Sequence, residues 1–401
     1  MNLKCDTLKI SSDLVYLRDN SIDSIMKIKS FKFDDHKENW HLKETFFDDF
    51  NLLVGVSGVG KTKILQALDL VRDVARDNDY RLDGIEWTIR FTHFKQEYEW
   101  TLKSALTDDE KSIFLSKTSA EITYEKITLI ENNNATELLI RSENGSHLRG
   151  EKLHKLKKTE SALASLSEEE DIAPIYQAFE RVFNETPQYN KVPFLYPIDV
   201  TKVLIKRNIN LHTFFENIPV DMPRVFKGYY LQKFFPESFD EIKASYLEIF
   251  PKVDDIKIDM AEKSGGYIFS YAIKESTNNW ILQPKISSGM LRTLAHLIEI
   301  STAPTGSVIV IDEFENSLGI NCMPELTDFI LDKSNELQFI LTSHHPYIIH
   351  NIPWENWQIV SRNGSDVKVT NATYIPELDT ASSLDKFTQL VNLPEYEGGI
   401  S

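Results

Sequence analysis

Cysteine is nearly missing from this chain: among 401 residues only Cys5 and Cys322 occur, far apart in sequence. Two distant thiols exclude a disulfide-stapled framework and a zinc site built from four cysteines. Long hydrophobic runs are missing as well. No uninterrupted apolar stretch approaches the ~20 residues that cross a bilayer as a helix, and residues 1–11 hold no signal-peptide core. Positive charge is scarce, with 44 Lys and Arg against 61 Asp and Glu, a net −17. Coating nucleic acid non-specifically needs a dense cationic surface, so that class is disfavoured, although a local basic patch remains open. There is no internal repeat and no heptad pattern long enough for an extended coiled coil. These absences predict a soluble cytoplasmic protein with no membrane partner. What is present, 41% hydrophobic and 26% charged residues, is ordinary globular composition and excludes a disordered or collagenous chain. The length admits two or three domains, or one domain with a large insertion.

Apolar strands are expected at 25–33 and 50–55, the second running into a glycine-punctuated turn and a helix. In that helix Ile64, Leu68, Val71 and Ala75 share one face. Residues 85–104, β-branched and aromatic around Lys95-Gln96-Glu97, predict an antiparallel hairpin, and strand-like pieces follow at 120–142. A charge-dense helical stretch is expected next, Lys152, Lys155, Lys157 and Lys158 and then Glu168 to Asp171. Its cations read either as a nucleic-acid or nuclease docking patch or as a solvated helix face. The segment 209–250, rich in Phe and Tyr (Phe214, Phe215, Tyr229, Tyr230, Phe234, Phe235), predicts a compact helical subdomain with its own aromatic core. Strands return at 254–285 around Gly265-Gly266. The last third then alternates: helix 290–301, strand 307–311, helix 322–334, strand 337–342 and strands near 357–361 and 366–373. That alternation predicts α/β layering on parallel strands. The expected divisions are 1–104, a mainly helical insertion 105–253, and 254–401.

Residues 55–62 read Gly55-Val-Ser57-Gly58-Val59-Gly60-Lys61-Thr62, a complete G-x-x-x-x-G-K-T. The glycines let successive N–H groups turn inward around phosphates, and the helix behind presents its positive end. Lys61 can reach β- and γ-phosphates and the Thr62 hydroxyl can ligate Mg²⁺. Strand, loop and amphipathic helix supply the context that the motif requires.

Residues 307–313 read Ser-Val-Ile-Val-Ile-Asp312-Glu313, a buried strand ending in two carboxylates. Adjacent acids at a strand's C-terminal end can divide the work of holding metal and orienting water. Residues 286–292 contain Ser287-Ser288-Gly289 opening a helix, which offers hydroxyls and free N–H groups to an anion. Taken alone, that turn reads as a plain N-cap. Residues 337–346 end in Thr342-Ser343-His344-His345-Pro346. A histidine just beyond a buried strand can hydrogen-bond a γ-phosphate, although a lone one is more often a surface residue.

In this order the pieces resemble the head of an ABC-type ATPase. GVSGVGKT resembles the Walker A loop, ISSGMLR the signature, VIVIDE the Walker B strand, and FILTSHHP the switch-histidine segment. DEFENSLG (312–319) resembles the form found in stand-alone AAA_21-type ATPases related to SMC heads and to overcoming-lysogenisation-defect (OLD) nucleases. The resemblance covers 25–104 and 254–361 and implies an α/β P-loop NTPase with a mixed or parallel sheet, an antiparallel β subdomain and a helical insertion. It implies ATP and Mg²⁺ as cofactors. Gly55, Ser57, Gly58, Val59, Gly60, Lys61, Thr62 and Lys63 would hold the nucleotide, Thr62 and Asp312 the metal, and Glu313 and His344 would serve catalysis. The histidine doublet leaves His345 open. Ser288 and Gly289 would contact the γ-phosphate bound to a second protomer, and Ser317 would lie in the loop crossing that interface. Gln96 is a candidate for the Q-loop, whereas Trp40 and Phe33 read as core aromatics.

The resemblance extends to ATPase subunits of prokaryotic anti-phage defence systems of the Septu, retron-associated or PARIS type. It implies a homo-oligomer built from dimers and a separate nuclease or toxin effector, with any nucleic-acid contact indirect. A DNA-repair ATPase of the RecF class, binding DNA directly, is the alternative. A transporter's nucleotide-binding subunit is a third reading, disfavoured by the large insert and by a signature that is not LSGGQ.

Overall fold

The structure, a computed structural model, describes residues 25–78, 80–106, 120–132, 134–185, 194–196, 211–216, 218, 222–263, 266–276, 279–379 and 383–393. The chain opens with strands β1 (Lys27–Asp35), β2 (Trp40–Phe46) and β3 (Phe50–Val54) and helix α1 (Lys61–Ala75). An antiparallel run follows: β4 (Ile85–His93), β5 (Gln96–Ser104), β6 (Ile122–Glu131), β7 (Asn134–Ser142), β8 (Gly145–Leu148) and β9 (Glu151–Lys152). Short helices α2 (Ala162–Ser165) and α3 (Ala173–Phe179) lead to β10 (Val182–Glu185) and β11 (Phe194–Tyr196). Helices α4 (Leu211–Glu216), α5 (Arg224–Phe234) and α6 (Pro236–Ile249) precede an antiparallel trio, β12 (Val253–Lys263), β13 (Gly266–Glu275) and β14 (Trp280–Leu282). The last third is α7 (Ser288–Thr302), β15 (Val308–Ile311), α8 (Met323–Lys333), β16 (Gln338–Thr342) and α9 (Pro346–Asn351), then β17 (Trp357–Asn363), β18 (Asp366–Asn371) and α10 (Ser383–Asn392).

One large mixed sheet has the order β10-β15-β16-β3-β17-β18-β2-β1-β4-β5-β6-β7-β8-β9, and β11 to β14 form a separate small antiparallel sheet. From β10 to β17 neighbours are parallel, which places the ends of β15, β16 and β3 side by side. These strands are short, apolar and buried on both faces, as parallel strands are when both sides are covered. Their residues alternate between two cores. Val308, Val310, Ile340 and Leu53 join α1, α2, α3 and the antiparallel strands on one face. Ile309, Ile311, Phe339, Leu341 and Leu52 join α5, α6, α7 and α8 on the other.

The expected helix face of α1 is confirmed, with Ile64, Leu68, Val71 and Ala75 all buried. Three expectations are corrected. The lysine segment is not helical: β9 ends at Lys152, and the next helix starts at Ala162. Its backbone bonds to sheet neighbours instead, Leu153 N–H donating to Ser146 O (2.8 Å) and Lys158 O accepting from Ile122 N–H (2.7 Å). Sheet pairing thus overrides charge patterning. The aromatic rings do pack on one another, Phe214 against Tyr230 (5.6 Å) and Phe235 (5.2 Å), but their core is not separate, because Phe214, Phe226 and Tyr230 belong to the cluster that contains Phe269 and Leu294. Helix α5 approaches so closely at Gly228 that a Cβ there would meet Ile258 and Ile298 within 2.8 Å. Gln96, finally, lies at the start of β5, opposite His93 at the hairpin turn. In the neighbouring strand Met26 N–H donates to Gly306 O just ahead of β15, so that turn lies toward the N-terminal ends of the parallel strands. The phosphate loop follows a C-terminal end, so Gln96 is excluded as a site residue. The described residues of 105–253 serve both cores, β6 to β9 extending the antiparallel edge and β10 pairing with β15. Residue 265 of the expected glycine turn lies outside the described residues. Among the described residues, no helix is long and apolar enough to cross a membrane.

Candidate functional site

The site forms where β3, β15 and β16 end. Strand β3 delivers Gly55, and the loop turns through Gly58 (φ 88°) and Gly60 (φ 107°) into α1. These left-handed conformations favour glycine, and Gly60 caps α1 without a side chain. The first hydrogen bond of α1 joins Ile64 N–H to Gly60 O (3.0 Å). The N–H groups of Lys61, Thr62 and Lys63 therefore precede any intrahelical acceptor, the arrangement that receives anions. Ser57 and Gly58 are exposed at the loop tip, whereas Val59 is buried and anchors it.

Lys61 is buried and donates to Gly55 O (2.6 Å) and Val56 O (3.1 Å). Burial lowers its pKa, while the charges of Asp312, Glu315 and Glu313 oppose that shift. The ammonium thus lies in the field of three carboxylates. Lys63 turns elsewhere: its ammonium pairs with Glu38 and lies 5.2 Å over the Trp40 ring. Its side chain is not directed at the loop, which leaves its backbone N–H for a nucleotide.

Asp312 and Glu313 follow β15. Asp312 Oδ1 accepts from Thr62 Oγ1 (3.2 Å) and from Thr342 Oγ1 at the end of β16 (2.6 Å). Glu313 N–H donates to the same Thr342 hydroxyl (2.7 Å), and Asn316 Nδ2 donates to Glu313 Oε2 (3.1 Å). Residues 62, 312 and 342 therefore meet at one point. A hydroxyl and a carboxylate side by side suit Mg²⁺, which takes one or two protein ligands and completes its shell with water and phosphate oxygens. Among the described residues no group of three or more His, Cys, Asp or Glu could hold a metal ion.

The histidine doublet divides. His345 is the N-cap of α9, its Nδ1 accepting from Tyr347 N–H (3.2 Å). His344 is exposed, with Nε2 3.7 Å from Glu313 Oε1. Its backbone N–H donates to Glu315 Oε1 (2.8 Å), while Glu315 Oε2 is buried with no hydrogen-bond partner among the described residues.

Ser287 caps α7, its hydroxyl accepting from Met290 N–H (3.2 Å). Ser288 is exposed, and Gly289 lies against the turn after β15, where a Cβ would stand 2.7 Å from Ser317 O. No hydrogen bond among the described residues links Ser288 or Gly289 to the phosphate loop. One turn further on, Arg292 is fully buried and donates to the carbonyls of Asp312 (3.4 Å) and Glu313 (3.1 Å). Thr342, Arg292 and Glu315 escaped the sequence reading. Thr342 had one visible signal, its place at the end of the strand that runs beside the carboxylate strand.

A strand, a glycine loop and a helix, with a carboxylate-tipped strand in the same parallel layer, define a P-loop NTPase. Comparison with protein families matches residues 50–350 to the AAA_21 family, described as "AAA domain, putative AbiEii toxin, Type IV TA system". The chain belongs to that family. Solved structures similar to it include the SmcHead bound to the C-winged helix domain of ScpA, at 13% identity and TM-score 0.45, covering 86% of this chain and 97% of that one. An Smc head domain with an extended coiled coil, bound to the C-terminal domain of ScpA and derived from Pyrococcus furiosus, gives 11%, 0.45, 86% and 96%. The SMC head domain from Thermotoga maritima gives 10%, 0.39, 86% and 98%. A search of curated proteins returned no match.

Proposed function

We propose that the chain hydrolyses ATP to ADP and phosphate at this site, with Mg²⁺, and works as a dimer-forming switch that gates a separate nuclease or toxin subunit in an anti-phage defence complex. One observation carries the ATPase reading. Segments far apart in sequence converge so that Lys61, Thr62, Asp312, Glu313 and His344 share the C-terminal end of the parallel layer. Lys61 offsets phosphate charge, and Thr62 with Asp312 would hold Mg²⁺, which would supply neutralisation of the charge that develops on the phosphates. Glu313 orients the attacking water and accepts its proton, and His344 stands where a γ-phosphate oxygen would be bonded. Ser288 and Gly289 complete a neighbour's site: in their own chain Ser288 is exposed and Gly289 lies against the turn after β15.

The gating part draws on the family's description, which mentions a toxin and a toxin–antitoxin system. Direct DNA binding draws less support, since Lys157 pairs with Glu160, Lys158 with Glu121 and Arg149 with Asp171. Each of those cations faces a carboxylate of its own chain. The test incubates the purified protein alone with DNA, tRNA and Mg²⁺-ATP. Phosphate release without nucleic-acid cleavage is expected. Robust cleavage with no other chain present overturns the gating role.

A further inference from the structure

We propose that Glu315 is a positioning residue for ATP hydrolysis: its carboxylate fastens the backbone of His344 to the turn after β15 and thereby keeps the imidazole beside Glu313. This rests on the ATPase reading above. The contact between His344 and Glu313, 3.7 Å with side chains 42% and 46% exposed, is open to water, and pairs of that kind hold poorly by themselves. Something else must keep the histidine in place.

The neighbouring N–H groups do not do so. His345 N–H donates to Ser343 Oγ (3.0 Å) and Tyr347 N–H to the His345 ring, both inside their own segment. Only the His344 N–H reaches a side chain of the β15 turn, at 2.8 Å to a carboxylate, the charge-assisted kind of bond that is shorter and stronger than a neutral one. The turn that presents Glu315 is itself tightly held. Glu313 (φ 46°) and Ser317 (φ 61°) adopt left-handed conformations, Asn316 N–H donates to Glu313 O (2.7 Å), and Leu318 N–H to Glu315 O (3.0 Å). The same turn meets Gly289 of α7 through Ser317 O. Glu315 thus ties the histidine loop to a turn that also carries Glu313 and touches the signature helix.

The test compares Glu315→Ala, Glu315→Asp and Glu315→Gln, reading kcat and KM for ATP, thermal midpoint, and hydrogen exchange of the His344 amide. Ala removes the acceptor and Asp withdraws it by one methylene while keeping the charge. Gln presents a carbonyl oxygen at the same reach. Loss of a bond to a charged group predicts a kcat lower by about 10- to 100-fold for Ala and Asp, with KM within about threefold. Gln should stay within about fivefold of wild type. Exchange at His344 should quicken in Ala and Asp but not in Gln, and Glu315→Ala should add no loss to His344→Ala. Turnover within twofold in Glu315→Ala, or Gln as damaging as Ala, or multiplying losses in the double variant, would overturn the proposal. Should the wild type show no ATPase activity, the ATPase reading falls, while the exchange data still judge the latch: unchanged His344 exchange in both Ala and Asp refutes it.

Discussion

At the scale of single residues, the phosphate loop was legible because its information is local. Gly55 to Thr62 lie within eight consecutive positions, and each type answers a backbone or phosphate requirement. Thr342, Arg292 and Glu315 act on atoms of Asp312, Glu313 and His344, and those pairings exist only once β16 and α7 pack against β15 and the turn after it. Thr342's place at a strand end and Glu315's place within DEFENSLG are the only hints the sequence holds of them. Thr342 joins both carboxylate residues through one hydroxyl, and the side chain is buried. Thr342→Val keeps the shape and strips the hydroxyl, leaving the Glu313 N–H unpaired at a cost of about 1–3 kcal/mol. Turnover should fall about tenfold or more, and steady-state kinetics beside a melting curve will separate this from simple unfolding. Wild-type turnover would remove Thr342 from the site.

At the scale of elements, the alternation of helix and strand after residue 286 was readable because parallel strands buried on both faces appear as short apolar runs. The lysine segment and the aromatic segment misled for one shared reason: tertiary partners decided both. Residues 153–158 follow a sheet edge, and α5 packs on α7 and β13 as well as on α6 and Phe214. At Gly289, α7 lies close against the turn after β15. Gly289→Ala forces that turn to shift, since the obstacle is the backbone carbonyl of Ser317 and not a movable side chain. ATP turnover should drop while the thermal midpoint changes little; unaltered turnover would mean that α7 and the turn work independently.

The β4–β5 hairpin carries a pH signature. His93 is fully buried, and desolvation with the Arg181 charge pushes its pKa down to about 3. In the unfolded chain it titrates near 6.5. Between those values the unfolded state binds a proton that the folded state does not, so stability present above pH 6.5 is lost as the pH falls toward 3. Between pH 7.5 and 5, the melting temperature of the wild type should therefore fall further than that of His93→Leu. Equal falls would contradict this assignment.

At the scale of the molecule, one face of the parallel layer carries α1 and the antiparallel strands, and the other carries α7 with the α5–α6 pair. The phosphate loop and α7 thus reach the rim from opposite faces. That arrangement underlies the proposed dimer, in which each Ser288 serves a partner's nucleotide. Ser288→Arg should then abolish turnover with ATP affinity nearly intact, while a fully active monomer in sedimentation would contradict the dimer. Composition hinted at none of this, because net charge and length do not encode which faces meet.

The central claim is that ATP is bound through Lys61 and hydrolysed through Glu313. Direct measurement pairs nucleotide binding with phosphate release in Lys61→Ala and Glu313→Gln. Lys61→Ala loses the cation that faces the phosphates and should bind ATP weakly, at least about tenfold below wild type. Glu313→Gln keeps the shape but loses the base, so ATP should bind at near wild-type affinity and persist unhydrolysed. Wild-type phosphate release by Glu313→Gln would contradict the account.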